Sequence, residues 1–272
     1  MSEAAIIAST AEPLTGDSII HGLQDLGVKP GMVILVHSSL SSLGWVCGGA
    51  LTVIQALERA VSPGGTIMMP THSTQHSDPA GWQNPPVPKS WVATLKKNFP
   101  PYDPQRSATR GMGCIPELFR TQPGVIRSRH PLYSFAASGP KARALTSAHP
   151  LDYALGPGSP LSRLYDLDGY ILLLGVGNSS NSSLHLAEYL ADYPGKEECI
   201  EGAPRQHGNH SEWVTFKNMK LNEDDFEELG NSFEWEQPDA YRKQTIGCAP
   251  VRFIHQRRLI DFAVSWMKEN RN

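Results

Sequence analysis

His185 and Glu188 stand three residues apart in the stretch GVGNSSNSSLHLAEYLADYPG, residues 175–195. On a helix that spacing makes the two side chains neighbours. A carboxylate bonded to one imidazole nitrogen fixes the tautomer and leaves the other nitrogen as a base suited to neutral pH. The same spacing also describes a solvated pair on a wet helix face, worth only about 0.2–0.5 kcal/mol. Zinc ligation is a third reading, but HExxH is absent and the other histidines show no ligand spacing. Which reading holds depends on the elements that carry the pair.

Those elements alternate. DSIIHGLQDL (17–26) predicts a helix capped by Asp17, and MVILV (32–36) a strand buried on both faces. ALTVIQALERAV (50–61) carries Leu51, Ile54, Leu57 and Val61 at helical spacing, and TIMMP (66–70) reads as a strand. KARALTSA is a helix, YILLLGVG (170–177) a strand and SLHLAEYLA (183–191) a helix, with His185, Glu188, Tyr189 and Asp192 opposite the apolar side. VRFIH and QRRLIDFAVSWMKEN close the chain as a strand and an amphipathic helix. Strands alternating with helices predict an α/β fold in one domain spanning 1–272. Residues 72–106, rich in Pro, His and Trp, read as a partly ordered insertion. Residues 196–247 are charged and aperiodic, which predicts a small irregular subdomain or a lid.

Two strand-to-helix turns present small residues at the carboxyl ends of strands, where open α/β sheets bind ligands. VHSSLSSLGWVCGGALTV (36–53) offers Ser38, Ser39, Ser41 and Ser42 as donors, while Gly44, Gly48 and Gly49 let backbone approach a ligand. GVGNSSNSS offers a second such turn, and both can face one cleft. Neither is a phosphate-binding GxxxxGK[ST] loop. His72 and His76 lie in the insertion, and His207 and His210 read as a surface loop.

Composition narrows the partners. The chain has 272 residues and a net charge of -3, which gives no basis for nucleic-acid binding. No apolar run approaches the roughly 20 residues of a membrane span, and MSEAAIIASTAEP lacks the features of a secretory leader. The four cysteines, Cys47, Cys114, Cys199 and Cys248, are scattered, so a cytoplasmic location is expected.

Five ordered blocks carry a resemblance: HSSLSSLGWVCGGALTVIQAL, TRGMG (109–113), RSRHPLYSFAASG (127–139), GPGSPLSRL (156–164) and LLLGVGNSSNSSLHLAEY. Together they resemble the aminoglycoside 3-N-acetyltransferase family. The resemblance implies a layered α/β/α fold with a central mixed sheet and a small irregular C-terminal region. It implies acetyl-CoA as donor, no metal, and as acceptor a cationic aminosugar, the 3-amino group of a 2-deoxystreptamine aminoglycoside. It places the family's catalytic pair on His185 and Glu188, with Ser182 and Ser183 where relatives often carry Thr, and leaves the Ser183 hydroxyl or backbone N–H groups of the turns as donors to the acetyl oxygen. It places the coenzyme against Ser38, Ser39, Ser41, Gly44 and Val46, and against Thr109, Arg110, Met112 and Gly113. A polycationic acceptor needs carboxylates, for which Asp78, Asp103, Asp192 and Glu201 are the candidates. The transfer is expected to be direct, without an acetyl-enzyme. The alternatives are a non-antibiotic amine as acceptor, or a serine hydrolase using Ser38 or Ser39 with His185, against which the absence of GxSxG counts.

Overall fold

The apolar runs become strands buried on both faces. In a computed structural model, which describes residues 2–208 and 210–271, the strands are β1 Val33–Ser38, β2 Thr66–Pro70, β3 Ile126–Arg127, β4 Phe135–Ser138, β5 Tyr170–Leu174, β6 Glu198–His207, β7 His210–Met219, β8 Tyr241–Ile246 and β9 Ala249–His255. Seven form one mixed sheet in the order β3-β4-β2-β1-β5-β9-β8, and β6 and β7 pair separately. Only the central β2-β1-β5 trio is parallel. β4, β9 and the edge strands run antiparallel to their neighbours. The carboxyl ends of the trio, at Ser38, Pro70 and Leu174, therefore open on one edge.

Helices cover both faces. Ile34 and Val36 of β1 point into one apolar layer with helices Gly16–Asp25, Gly49–Val61 and Cys114–Phe119. Val33 and Leu35 point into the other with helices Pro160–Asp166, Ser183–Leu190, Phe226–Glu236 and Gln256–Asn270. This is the expected α/β/α layering, and strand alternation sets which layer each side chain joins.

Several local readings change. Thr15, not Asp17, caps the first core helix, in a reciprocal box with Ser18. Asp17 sits in the first turn, in an exposed pair with Arg59. Leu51 is exposed, and Val53 shares the buried face with Ile54 and Leu57.

Residues 196–247 are not one appendage. They supply the β6–β7 hairpin, a helix of the second layer and β8, an edge strand of the main sheet. The 72–106 insertion holds helix Val92–Asn98 and three short 3-10 turns. It packs on the hairpin: Phe99 stacks on Trp213 at 6.2 Å, and the Tyr102 N–H donates to the Pro204 carbonyl at 3.2 Å. The two irregular stretches thus form one wall. Arg127 fastens the insertion to the end of β2, where its buried guanidinium donates to the carbonyls of Thr71 and Ser107, each at 2.5 Å.

Candidate active site

Glu188 lies on a helix that leaves β5 through the Asn- and Ser-rich turn and packs on the second layer. Its neighbours in that layer are helix Gln256–Asn270 and helix Phe226–Glu236. Glu188 is therefore 0% exposed, whereas Leu190 is exposed. The wet-face reading fails on this point. His185 Nδ1 lies 2.5 Å from Glu188 Oε2, and the histidine side chain is 13% exposed. Glu188 Oε1 accepts from the Asn222 N–H at 2.9 Å and from Arg271 Nη1 at 2.8 Å. Arg271 also pairs with Asp225 at 2.6 Å, and its charge is held more firmly than usual by these two carboxylates. Phe226 packs on the His185 ring at 5.0 Å between centroids. A buried carboxylate with three donors is a fixed anchor, so the imidazole beside it has one orientation. Sequence reasoning missed Asn222, Asp225 and Arg271.

A cavity of about 770 Å³ opens at the carboxyl edge of the parallel trio. Ser38, Ser39 and Ser41 line it from the first turn, with Gly44 and Val46, and Ser179, Ser180 and Ser182 line it from the second. Both small-residue turns thus face one cleft. They touch at Gly175, where φ is +75° and a Cβ would lie 2.8 Å from Ser42 Cβ. Met112 and Gly113 also line the cavity. Thr109 and Arg110 do not. The Thr109 N–H and hydroxyl both donate to Glu117, which Arg120 and Thr109 hold at a pKa of about 2 despite its partial burial. Arg110 borders a separate hollow beside Trp82. Ser183 is corrected as well: it is 0% exposed, its Oγ accepts from Gln256 Nε2 at 3.0 Å, and Ser182 takes its place on the cavity wall.

Among the described residues neither Ser38 nor Ser39 hydrogen-bonds to a histidine through its hydroxyl. Ser39 Oγ accepts from Ser42 Oγ at 2.8 Å, and Ser38 Oγ is buried with no partner among the described residues. That arrangement does not make a hydrolase nucleophile. His37 and His72, at the ends of β1 and β2, are buried, and burial first, then the His185 charge, lowers each pKa to about 3. The sequence placed His72 in the insertion; His37 was not singled out.

The candidate acids separate. Asp78 caps a short turn and pairs with Lys96 at 2.5 Å, and Asp103 caps another turn through the backbone of Gln105 and Arg106. Asp192 is exposed. Glu201, on β6, accepts from the Tyr133 hydroxyl and from Asn218 Nδ2, each at 2.6 Å, and burial raises its pKa. Tyr133 in turn packs edge-on against His72 at 5.6 Å, so Glu201 stands one side chain away from the histidine group. His207 and His210 sit at the end of the hairpin. Among the described residues no group of three or more His, Cys, Asp or Glu side chains is placed to hold a metal ion. No helix among the described residues is long and apolar enough to cross a membrane.

A profile of the aminoglycoside 3-N-acetyltransferases matches residues 35–268. The chain belongs to that family. It is 43% identical to the SPbeta prophage-derived aminoglycoside N(3')-acetyltransferase-like protein YokD of Bacillus subtilis (strain 168), over 97% of this chain and 96% of that one. The crystal structure of YokD superposes with a TM-score of 0.95 at 42% identity, covering 99% of each chain. Aminoglycoside N(3)-acetyltransferase VII of Streptomyces paromomycinus is 34% identical over 99% of this chain and 96% of its own. Among solved structures, AAC-IIIb in a binary complex with CoASH matches at a TM-score of 0.84 and 34% identity, covering 95% of this chain and 97% of that one. AAC-VIa bound to sisomicin matches at 0.83 and 29%, covering 95% and 98%. The family, the fold and the acyltransferase class expected from the sequence all hold.

Proposed function

We propose that this protein moves an acetyl group from acetyl-CoA to the 3-amino group of an aminoglycoside, with His185 as general base and Glu188 as its orienting partner. The observation that carries the reading is the His185–Glu188 pair, its carboxylate fully buried, three residues along the chain from Ser182, which lines a cavity whose other lining comes from the β1 turn. The cavity suits the coenzyme's pantetheine arm: hydroxyls of Ser39 and Ser41 can meet its amides, and Leu40, Val46 and Met112 its methylenes. An ammonium cannot attack a thioester. With Nδ1–H donated to Glu188, the Nε2 lone pair of His185 is free to take the amine proton as nitrogen attacks the carbonyl carbon, and to return it to the departing thiolate. A positioned base of this kind contributes about 10²–10⁴-fold. Transfer is direct in this reading, and Glu201 and the exposed Asp192 are the carboxylates left to meet a cationic acceptor, Glu201 on the hairpin wall.

The test is thiol release from acetyl-CoA across a panel of aminoglycosides. His185→Ala should lose about 10²–10⁴-fold in kcat while binding CoA as the wild type does in calorimetry. Lost CoA binding would assign His185 a structural role instead. Parallel double-reciprocal lines together with an isolable acetylated protein would overturn direct transfer.

A further inference from the structure

The reading above leaves His37 without a task. It is the fifth residue of β1, 5% exposed, and it lines the coenzyme cavity. Its Nε2 is fully buried and has no hydrogen-bond partner among the described residues. Its neighbour Ser38 lines the same cavity with a hydroxyl that is also buried and unpartnered. Buried polar atoms are normally satisfied, so two at one cavity wall call for an explanation.

Burial holds the ring neutral at any pH near 7. A neutral imidazole carries one proton, and an orphaned buried N–H is rarer in proteins than an under-used acceptor. With Nε2 sealed in, the proton belongs on Nδ1, the nitrogen left to meet a ligand. Strand alternation adds position. His37 follows Val33 and Leu35 onto the face that carries helix Ser183–Leu190, whereas Ser38 follows Ile34 and Val36 toward the turn at Gly44 and Val46. His37 therefore stands at the seam between the coenzyme cavity and the sheet face that carries the His185 helix.

We propose that His37 donates its Nδ1–H to the carbonyl oxygen of the bound thioester and stabilises the oxyanion of the transfer step. This rests on the acetyl-CoA reading above. In the step, the amine lone pair forms the N–C bond, His185 takes the amine proton, and the C=O π pair moves onto the oxygen that His37 holds. The pair then returns, the C–S bond breaks, and the thiolate takes the proton from His185. The products are the amide and CoA thiol, and His37 neither gains nor loses a proton. A neutral donor suits this place. A permanent cation beside His185 would oppose the imidazolium that forms as the base acts. The hydroxyl of Ser183, one of the donors expected from the sequence, is bound to Gln256 and leaves this post open.

The test combines kinetics with difference infrared spectroscopy of bound [1-13C]acetyl-CoA. His37→Leu removes the donor; His37→Asn keeps one at nearly the Nδ1 position. In the wild type the thioester carbonyl band should lie below its frequency in water, and His37→Leu should abolish that shift while His37→Asn keeps most of it. His37→Leu should lose about 10²–10³-fold in kcat, the range for one oxyanion donor, with CoA affinity within threefold. His37→Asn should recover at least tenfold of that loss. An unshifted wild-type band, or a His37→Leu band equal to the wild type's, overturns the proposal while leaving the acetyltransferase reading intact. Should His37→Leu fail to fold, ¹⁵N-histidine spectra of the wild type decide: a ring protonated on Nε2 overturns the proposal, and an Nδ1–H that moves with acetyl-CoA but not with CoA supports it. If acetyl-CoA does not bind at all, the coenzyme reading falls and the role of His37 falls with it. If it binds and shows the shift but no amine releases thiol, only the acceptor is wrong.

Discussion

Replacing Arg271 with methionine leaves the Glu188 carboxylate buried without its cation. The Arg271 side chain is 9% exposed and the Glu188 side chain 1%, so water cannot fill the gap as it can around the partly exposed Asp225. Glu188 Oε1 would keep one donor, the Asn222 N–H. Breaking a buried ion pair from one side typically costs about 3–5 kcal/mol. Methionine keeps most of the stem packing on Phe226 and Tyr193 but gives up the cation–π component. At about 2.1 cal/mol/K per residue of unfolding entropy, a chain of this length should lose about 5–9 °C in Tm. Scanning calorimetry reads this directly. Activity should fall as well, because the carboxylate that orients His185 loses its own anchor. Groups that orient a histidine through a partner are worth about 10–100-fold where they have been measured around metal sites. Arg271→Lys should recover little, since an ammonium cannot bridge Glu188 and Asp225 as the planar guanidinium does. A Tm loss under 2 °C together with kcat within twofold of wild type would refute the reasoning and show that Glu188 needs no cation.

Two further outcomes follow from the same edge of the sheet. His72 is proton-free when folded down to a pKa of about 3, whereas the unfolded chain binds a proton below about 6.5. Stability therefore falls as pH drops from 6.5 toward 3, by about 1.4 kcal/mol per pH unit from this group, and His72→Leu should flatten urea-derived stability against pH by that amount; an unchanged slope between pH 6 and 4.5 refutes it. Gly175→Ala forces a side chain into φ +75° and against Ser42 and Ser39. It should cost about 2–4 kcal/mol and raise the KM for acetyl-CoA by displacing the serine turn, and a variant normal in both respects would show that the two turns move independently.

Legibility followed locality. β2 and the C-terminal helix were readable to the residue, because continuous apolar runs and 3.6-residue periodicity are properties of the segment itself. β8 was not, because YRKQTI alternates weakly and is held chiefly by backbone pairing with β9. Glu188 was legible as a partner of His185 but not as a buried group. Its burial is created by elements that arrive later in the chain, and Arg271 reaches it from 83 residues away. The two turns that line the cavity announced themselves through their serines and glycines. His37 gave no signal, because a histidine near a strand end has no periodicity to betray it. Ser183 lies off the cavity wall for a rotational reason: one position along the helix start separates the wall, where Ser182 lies, from the interior.

The lining of the large cavity contains Glu3 and Glu223 but neither lysine nor arginine. A ligand held there is gripped by dipoles, hydroxyls and shape, and the counterion cloud has little to say about it. Added salt should then be a poor competitor for the coenzyme's arm, and a shortened donor lacking the nucleotide should retain an unusually large share of the grip.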